Sequence, residues 1–137
     1  MAFIVVYYHV VWATKYRLPL ITEQIEPLIF DVIRAKSKQF KSPIHAINAV
    51  SDHIHIAVEI SQTVALYEWV RQVKAVSSRI VNKEFPHLET RFYWQKSYSI
   101  HSFGKKRLPF VTRYIDKQKQ HHEQGTLEPY LEQVPDD

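Results

Sequence analysis

The chain contains no cysteine, so it has neither a disulfide framework nor a thiolate metal site. It also lacks any apolar run long enough to cross a bilayer. The longest near-continuous one, from Phe3 to Val11, is interrupted by His9. A charged leader segment and a small-residue cleavage site are both missing, so the expected location is the cytoplasm. There is no internal repeat and no low-complexity tract. The last sixteen residues have no lysine or arginine at all.

What is present is enough for one domain with a proper core. The 137 residues are 45% hydrophobic and 13% aromatic. The formal charge of +4 conceals a division. Residues 1–121 carry all 18 Lys and Arg with nine of the 14 acids, giving +9, and residues 122–137 carry the other five acids, giving −5. A basic body of this kind suits an anionic partner such as nucleic acid. The expected division is one folded domain over 1–124 and an acidic tail over 125–137.

The pattern of elements comes next. Phe3–Ala13 is β-branched and aromatic on both faces, as in a central strand covered on both sides. Thr22 is placed to cap a helix whose apolar stripe is Ile25, Leu28, Ile29, Val32 and Ile33. Ile44–Val50 and the stretch from Asp52 to Ile60 read as two strands joined by a very tight turn, hence an antiparallel hairpin. A second long helix has the stripe Leu66, Trp69, Val70, Val73, Ser77 and Ile80. The aromatic and basic segment Arg91–Ile100 reads as a fourth strand. A third helix runs from Pro109 to Gly125, with Phe110, Val111, Tyr114, Ile115 and Gln118 along one side. The order βαββαβ plus a C-terminal helix predicts an α+β, ferredoxin-like antiparallel sheet, the RRM-like scaffold, with the extra helix over its second face.

Within this frame one strand stands out. Ile54, Ile56, Val58 and Ile60 alternate with His53, His55, Ala57 and Glu59, so the aliphatics share the core face and the two imidazoles share the other. The spacing alone is equally compatible with an ordinary half-buried strand. The third helix tips the balance, because Tyr114 and Gln118 lie at i, i+4 on one side of the element expected to cover the histidines. Two neutral imidazoles and a carboxamide oxygen can hold Mg²⁺ or Mn²⁺ with positions left for phosphate oxygens. A phenol becomes an effective nucleophile when it is held in line with a polarised phosphate. Asp52 suits the hairpin turn, and His9 is expected to be structural.

The combination of His53-Ile54-His55 on a strand and a late Tyr114-Ile115-Asp116-Lys117-Gln118 resembles the single-tyrosine HUH transposases. That family comprises the small IS200-like enzymes and their REP-associated relatives. Tyr8–Arg17, Ser51–His55, Lys74–Ser78 and Trp94–Tyr98 share the family's look, so the resemblance spans nearly the whole chain. With only Gly104 and Gly125, the chain lacks glycines that the family often carries near these strands. The Lys117–Gly125 stretch is closer in flavour to the REP-associated branch.

The resemblance implies metal-dependent cleavage and rejoining of single-stranded DNA at hairpins, through a 5′-phosphotyrosine. It implies Tyr114 as the nucleophile and His53, His55 and Gln118 as ligands of Mg²⁺ or Mn²⁺. A homodimer whose tyrosine helix completes the partner's site belongs to the insertion-sequence branch, whereas REP-associated relatives can act as monomers. Candidate DNA contacts are Lys15, Arg17, Arg71, Lys74, Ser77, Ser78, Lys105, Lys106 and Arg107, with Tyr16, Tyr93 and Trp94 as stacking platforms. The competing expectations are a non-catalytic nucleic-acid-binding module on the same sheet and a metal-dependent nuclease that uses water instead of Tyr114.

Overall fold

The computed structural model describes residues 5–135. Strand β1 (Tyr7–Ala13) leads into helix α1 (Glu26–Gln39), strands β2 (Ile44–Val50) and β3 (His53–Val58), helix α2 (Leu66–Glu84) and strand β4 (Ser99–Phe103). Three short helices follow: α3 (Leu108–Asp116), α4 (Gln118–Gln124) and α5 (Pro129–Glu132). The sheet order is β2-β3-β1-β4 with every neighbour antiparallel. This is the predicted α+β arrangement.

The two faces of the sheet differ as the alternation requires. On one, Val10, Trp12, Ile54, Ile56 and Val58 pack with Ile29 and Ile33 of α1 and Trp69, Val70 and Val73 of α2, all essentially inaccessible to water. Burying a side chain of this size stabilises the fold by about 1.5–3 kcal/mol. On the other face, Ala46 and Ala57 pack against Val111 and Ile115 of α3. The small alanines let that helix approach closely. Every residue of β3 is buried because the strand is covered on both sides.

Two expectations need correction. The fourth strand lies at Ser99–Phe103, not Arg91–Ile100. Residues 91–98 carry only an isolated bridge between Trp94 and Thr14. Here a side chain takes the place of a ladder: Asn82 Nδ2 donates to the Phe92 carbonyl at 2.9 Å, and its Oδ1 accepts the Phe92 amide at 2.7 Å. Phe92 and Trp94 still alternate inward, edge to face at 4.7 Å, so the period of two is real although the sheet pairing is not.

The predicted third helix is broken at Lys117 (φ −99°, ψ 18°). Asn48 on β2 donates to the carbonyls of Ile115 and Asp116 at 3.0 and 3.1 Å, oxygens that an unbroken helix would offer to amides four residues on. Gly125, in the left-handed region at φ 68°, then terminates α4 and turns the chain back toward the sheet.

Candidate active site

The roofed face of β3 holds a dense polar cluster. His53 and His55 are both buried, side by side with ring centroids 5.1 Å apart. Each Nε2 lies 3.2 Å from the same atom, Oε1 of Glu132. Gln118 Nε2 donates to both oxygens of that carboxylate, at 3.1 and 3.0 Å. The Tyr114 hydroxyl donates to its Oε2 through a very short hydrogen bond. Tyr114 and Gln118 therefore stay on one side despite the helix break, and they meet the histidines at a single point.

The imidazoles are held from behind. Asp52 Oδ1 lies 2.7 Å from His53 Nδ1, and Arg17 pairs with the other Asp52 oxygen at 3.6 Å. His9, on β1, places its Nε2 2.9 Å from His55 Nδ1. Both contacts fix the rings with Nε2 directed into the cluster, the arrangement by which outer partners orient metal-ligating histidines. Asp52 and His9 thus belong to the site, beyond the turn and structural roles that their local sequence suggests. The β1–β3 register is what brings His9 beside His55, because it pairs His9 with Ala57 and Val11 with His55.

The charge states follow from these contacts. Burial is the largest influence on Glu132 and favours its neutral form, but hydrogen bonds with His53 and His55 outweigh it and hold the carboxyl well below the usual range. Burial likewise works against a charged His53, yet Asp52 and Glu132 carry the balance and the net shift is upward. Burial pushes His55 and His122 down. It drives His9 to about 3, helped by the neighbouring His55. Tyr114 is pushed up by burial and by its bond to Glu132, so its phenol is neutral in this state.

The donor set fits a divalent cation. Two imidazole nitrogens converge there, the donor atoms of His53, His122 and Glu132 lie within 4.8 Å of one another, and Gln118 turns its Nε2 toward the same point while its Oε1 is buried without a hydrogen bond. His122 Nε2 is 3.4 Å from Glu132 Oε1, and its ring lies 4.9 Å from that of His53. Glu132 is a site residue that the sequence does not announce. It is the only acid in its short helix, and no spacing in the sequence links it to β3.

The candidate DNA contacts scatter over the surface. Ser77 is a correction: it is fully buried, accepts Trp94 Nε1–H at 2.9 Å and donates to Val73 O at 2.6 Å, so it faces the core. Arg71, Lys74 and Ser78 line a groove of about 350 Å³ together with Tyr67, Tyr93 and Trp94. Lys74 spans it, donating to the carbonyls of Lys96 and Ser97 at 3.1 and 3.3 Å. Lys15 and Arg17 belong to a 3₁₀ turn in which Tyr16 and Arg17 both have positive φ, 57° and 54°. Tyr16 is 75% exposed there. Lys105, Lys106 and Arg107 form a solvent-facing turn ahead of α3.

The sheet, its paired histidines and the helix-borne tyrosine that faces them form one cluster on the roofed side of the fold. The model of the IS200-like transposases matches residues 2–118, and the chain belongs to that family. It is 23% identical over 115 residues to the ISDra2 transposase TnpA of Deinococcus radiodurans, covering 81% of this chain and 82% of that protein. It is also 23% identical over 122 residues to the transposase for insertion sequence element IS200 of Salmonella typhimurium, covering 86% and 80%. Among solved structures, a Deinococcus radiodurans protein assigned as a transposase superposes with a TM-score of 0.69 at 23% identity, covering 86% of this chain and 95% of that one. A REP-associated tyrosine transposase bound to a REP hairpin gives 0.64 at 17%, covering 86% and 68%. Among the described residues, no helix is long and apolar enough to cross a membrane.

Proposed function

We propose that this transposase cleaves and rejoins single-stranded DNA beside a hairpin, with Tyr114 as nucleophile and His53, His55 and Gln118 as ligands of Mg²⁺ or Mn²⁺. One observation carries the reading: the Tyr114 hydroxyl and both histidine Nε2 atoms meet at one anionic group, the Glu132 carboxylate. An anion held at that point touches the nucleophile and the cation's ligands together, as a scissile phosphate must.

The chemistry follows from those positions. Tyr114 Oη forms a bond to phosphorus as the bond to the 3′-oxygen breaks. The phenol gives up its proton and the departing 3′-oxygen gains one. The product is a 5′-phosphotyrosine with a free 3′-hydroxyl, and attack by a 3′-hydroxyl reverses the step. A divalent ion held by His53, His55 and Gln118 would supply Lewis-acid polarisation of the phosphate. Asp52 and His9 keep the two imidazoles aimed, and Gln118 steadies the anion from the helix side. The hairpin-bound relative supports a hairpin as the recognised form.

Tyr114 of α3 and the histidines of the same chain meet at Glu132, so a single chain carries all the side chains of the proposed site. A homodimer is the expected assembly for an insertion-sequence enzyme, and sedimentation distinguishes it from a monomer. The non-catalytic module fits less well, since α3 covers the sheet face on which such a module would stack its bases.

The test is a denaturing gel of labelled hairpin DNA incubated with Mn²⁺. A covalent protein–DNA adduct is expected, absent with EDTA, in His53→Ala and in Tyr114→Phe. Strand cleavage that persists in Tyr114→Phe would transfer the reading to the water-using nuclease.

A further inference from the structure

The tail docks on the body of the domain through several contacts. Leu131 is 5% exposed, Tyr130 packs on His101 with ring centroids 4.5 Å apart, and the Pro135 carbonyl accepts from Gln95 Nε2 at 2.8 Å. The Glu128 amide donates to the Tyr114 hydroxyl at 3.1 Å. These contacts aim one acidic side chain, Glu132, at the two histidines.

The spacing of the donors is informative. Ligand atoms about 2.0–2.2 Å from one ion lie roughly 3.0–3.5 Å from each other. Glu132 Oε1 is 3.2 Å from His53 Nε2, 3.2 Å from His55 Nε2 and 3.4 Å from His122 Nε2. The His122 nitrogen is buried and faces the same Glu132 oxygen without a well-formed hydrogen bond. The donor atoms of His53, His122 and Glu132 all fall within 4.8 Å of one another.

We propose that in the DNA-free protein Glu132 is a ligand of the metal held by His53 and His55, occupying the position that a phosphate oxygen of the substrate takes. This rests on the metal site proposed above and adds the tail to it. A carboxylate contributes the negative charge that two imidazoles and a carboxamide lack. Adding a carboxylate to the imidazoles moves the set toward the oxygen ligands that Mn²⁺ prefers. The same carboxylate also holds the Tyr114 proton. DNA therefore has to displace Glu132 from both the ion and the nucleophile, with α5 moving off the site.

The experiment is a Mn²⁺ titration of the DNA-free full chain, followed by the decrease of the free-ion electron paramagnetic resonance signal. The proteins are wild type, Glu132→Gln, Glu132→Ala and His53→Ala, each first checked for folding by thermal melting without metal. Both Glu132 variants are expected to bind Mn²⁺ at least about tenfold more weakly, a reduction that even outer partners of ligands can produce. At saturating Mn²⁺ both should form the DNA adduct at least as fast as wild type.

Unchanged or tighter Mn²⁺ binding in the Glu132 variants, with His53→Ala weakened, overturns the tail ligand and leaves the histidine site standing. Equal binding by wild type and His53→Ala overturns the metal site itself. Weaker binding combined with no adduct at saturating metal overturns the displacement, because Glu132 would then be needed in the reacting complex.

Discussion

His9 Nε2 lies 2.9 Å from His55 Nδ1, on adjacent antiparallel strands and with both rings buried. One nitrogen must donate and the other accept. If His55 donates through Nδ1–H, its Nε2 is left with a lone pair directed at the site. His9 is thus a positioning residue, and replacing it with Phe should weaken Mn²⁺ binding by about 10–100-fold. His9→Gln, which keeps an acceptor, should recover most of that affinity. The comparison of the two variants in a metal titration separates an effect on orientation from an effect on packing.

Acid should destabilise the metal-free protein. The folded-state pKa of His9 is about 3, against 6.5 unfolded. Below about pH 6.5 the unfolded chain therefore binds a proton that the folded one refuses, and stability falls as pH drops from there toward 3. The slope approaches ~1.4 kcal/mol per pH unit for each such histidine. His55 and His122, also lowered, act in the same sense. His53, raised, opposes them: its stabilisation is present at low pH and disappears as pH rises through its folded pKa. Urea unfolding in EDTA between about pH 7 and pH 5 should show the net decline, with a shallower slope in His9→Gln.

The buried Ser77 should matter for stability and not for DNA. Its hydroxyl accepts the Trp94 indole N–H at 2.9 Å inside the core. Ser77→Ala leaves that donor without a partner and should cost about 1–3 kcal/mol. Chemical denaturation measures the difference. The salt dependence of hairpin binding by the folded variant should match wild type.

Lys105, Lys106 and Arg107 should behave in the opposite way. They are exposed, and they sit immediately before the tyrosine helix. Replacing all three with Ala should lower the slope of log affinity against log salt by about 2–3, near one for each phosphate that is no longer neutralised. Melting temperature should hardly change. A slope equal to wild type would remove this turn from the DNA path.

Much of this molecule is legible in local pattern. The period of two in His53–Val58 shows which residues face the core, and the two-sided hydrophobicity before Ala13 implies a covered second face. Tyr114 and Gln118 are visible because a helical spacing of four is local. The features that are not legible depend on distant parts of the chain meeting. Asn48 breaks the third helix from β2, and Asn82 satisfies the backbone of Phe92 from α2, so neither departure has a signature in its own segment. Ser77 is legible as part of the inward stripe of α2, and its buried place there agrees; what the local pattern does not show is the partner that removes it from the DNA contacts, Trp94, seventeen residues away. Glu132 reaches His53 across 79 positions, and nothing in an acidic tail distinguishes the one carboxylate that turns inward.

The central claim is that Tyr114 itself forms the bond to DNA. Trap the adduct on labelled hairpin DNA with Mn²⁺, digest the protein and the DNA, and locate the nucleotide mass by tandem mass spectrometry. The account predicts a phosphonucleotide on the peptide that contains Tyr114, attached at that tyrosine. Cleaved DNA with a free 5′-phosphate and no modified peptide, or a nucleotide on any other residue, would contradict it.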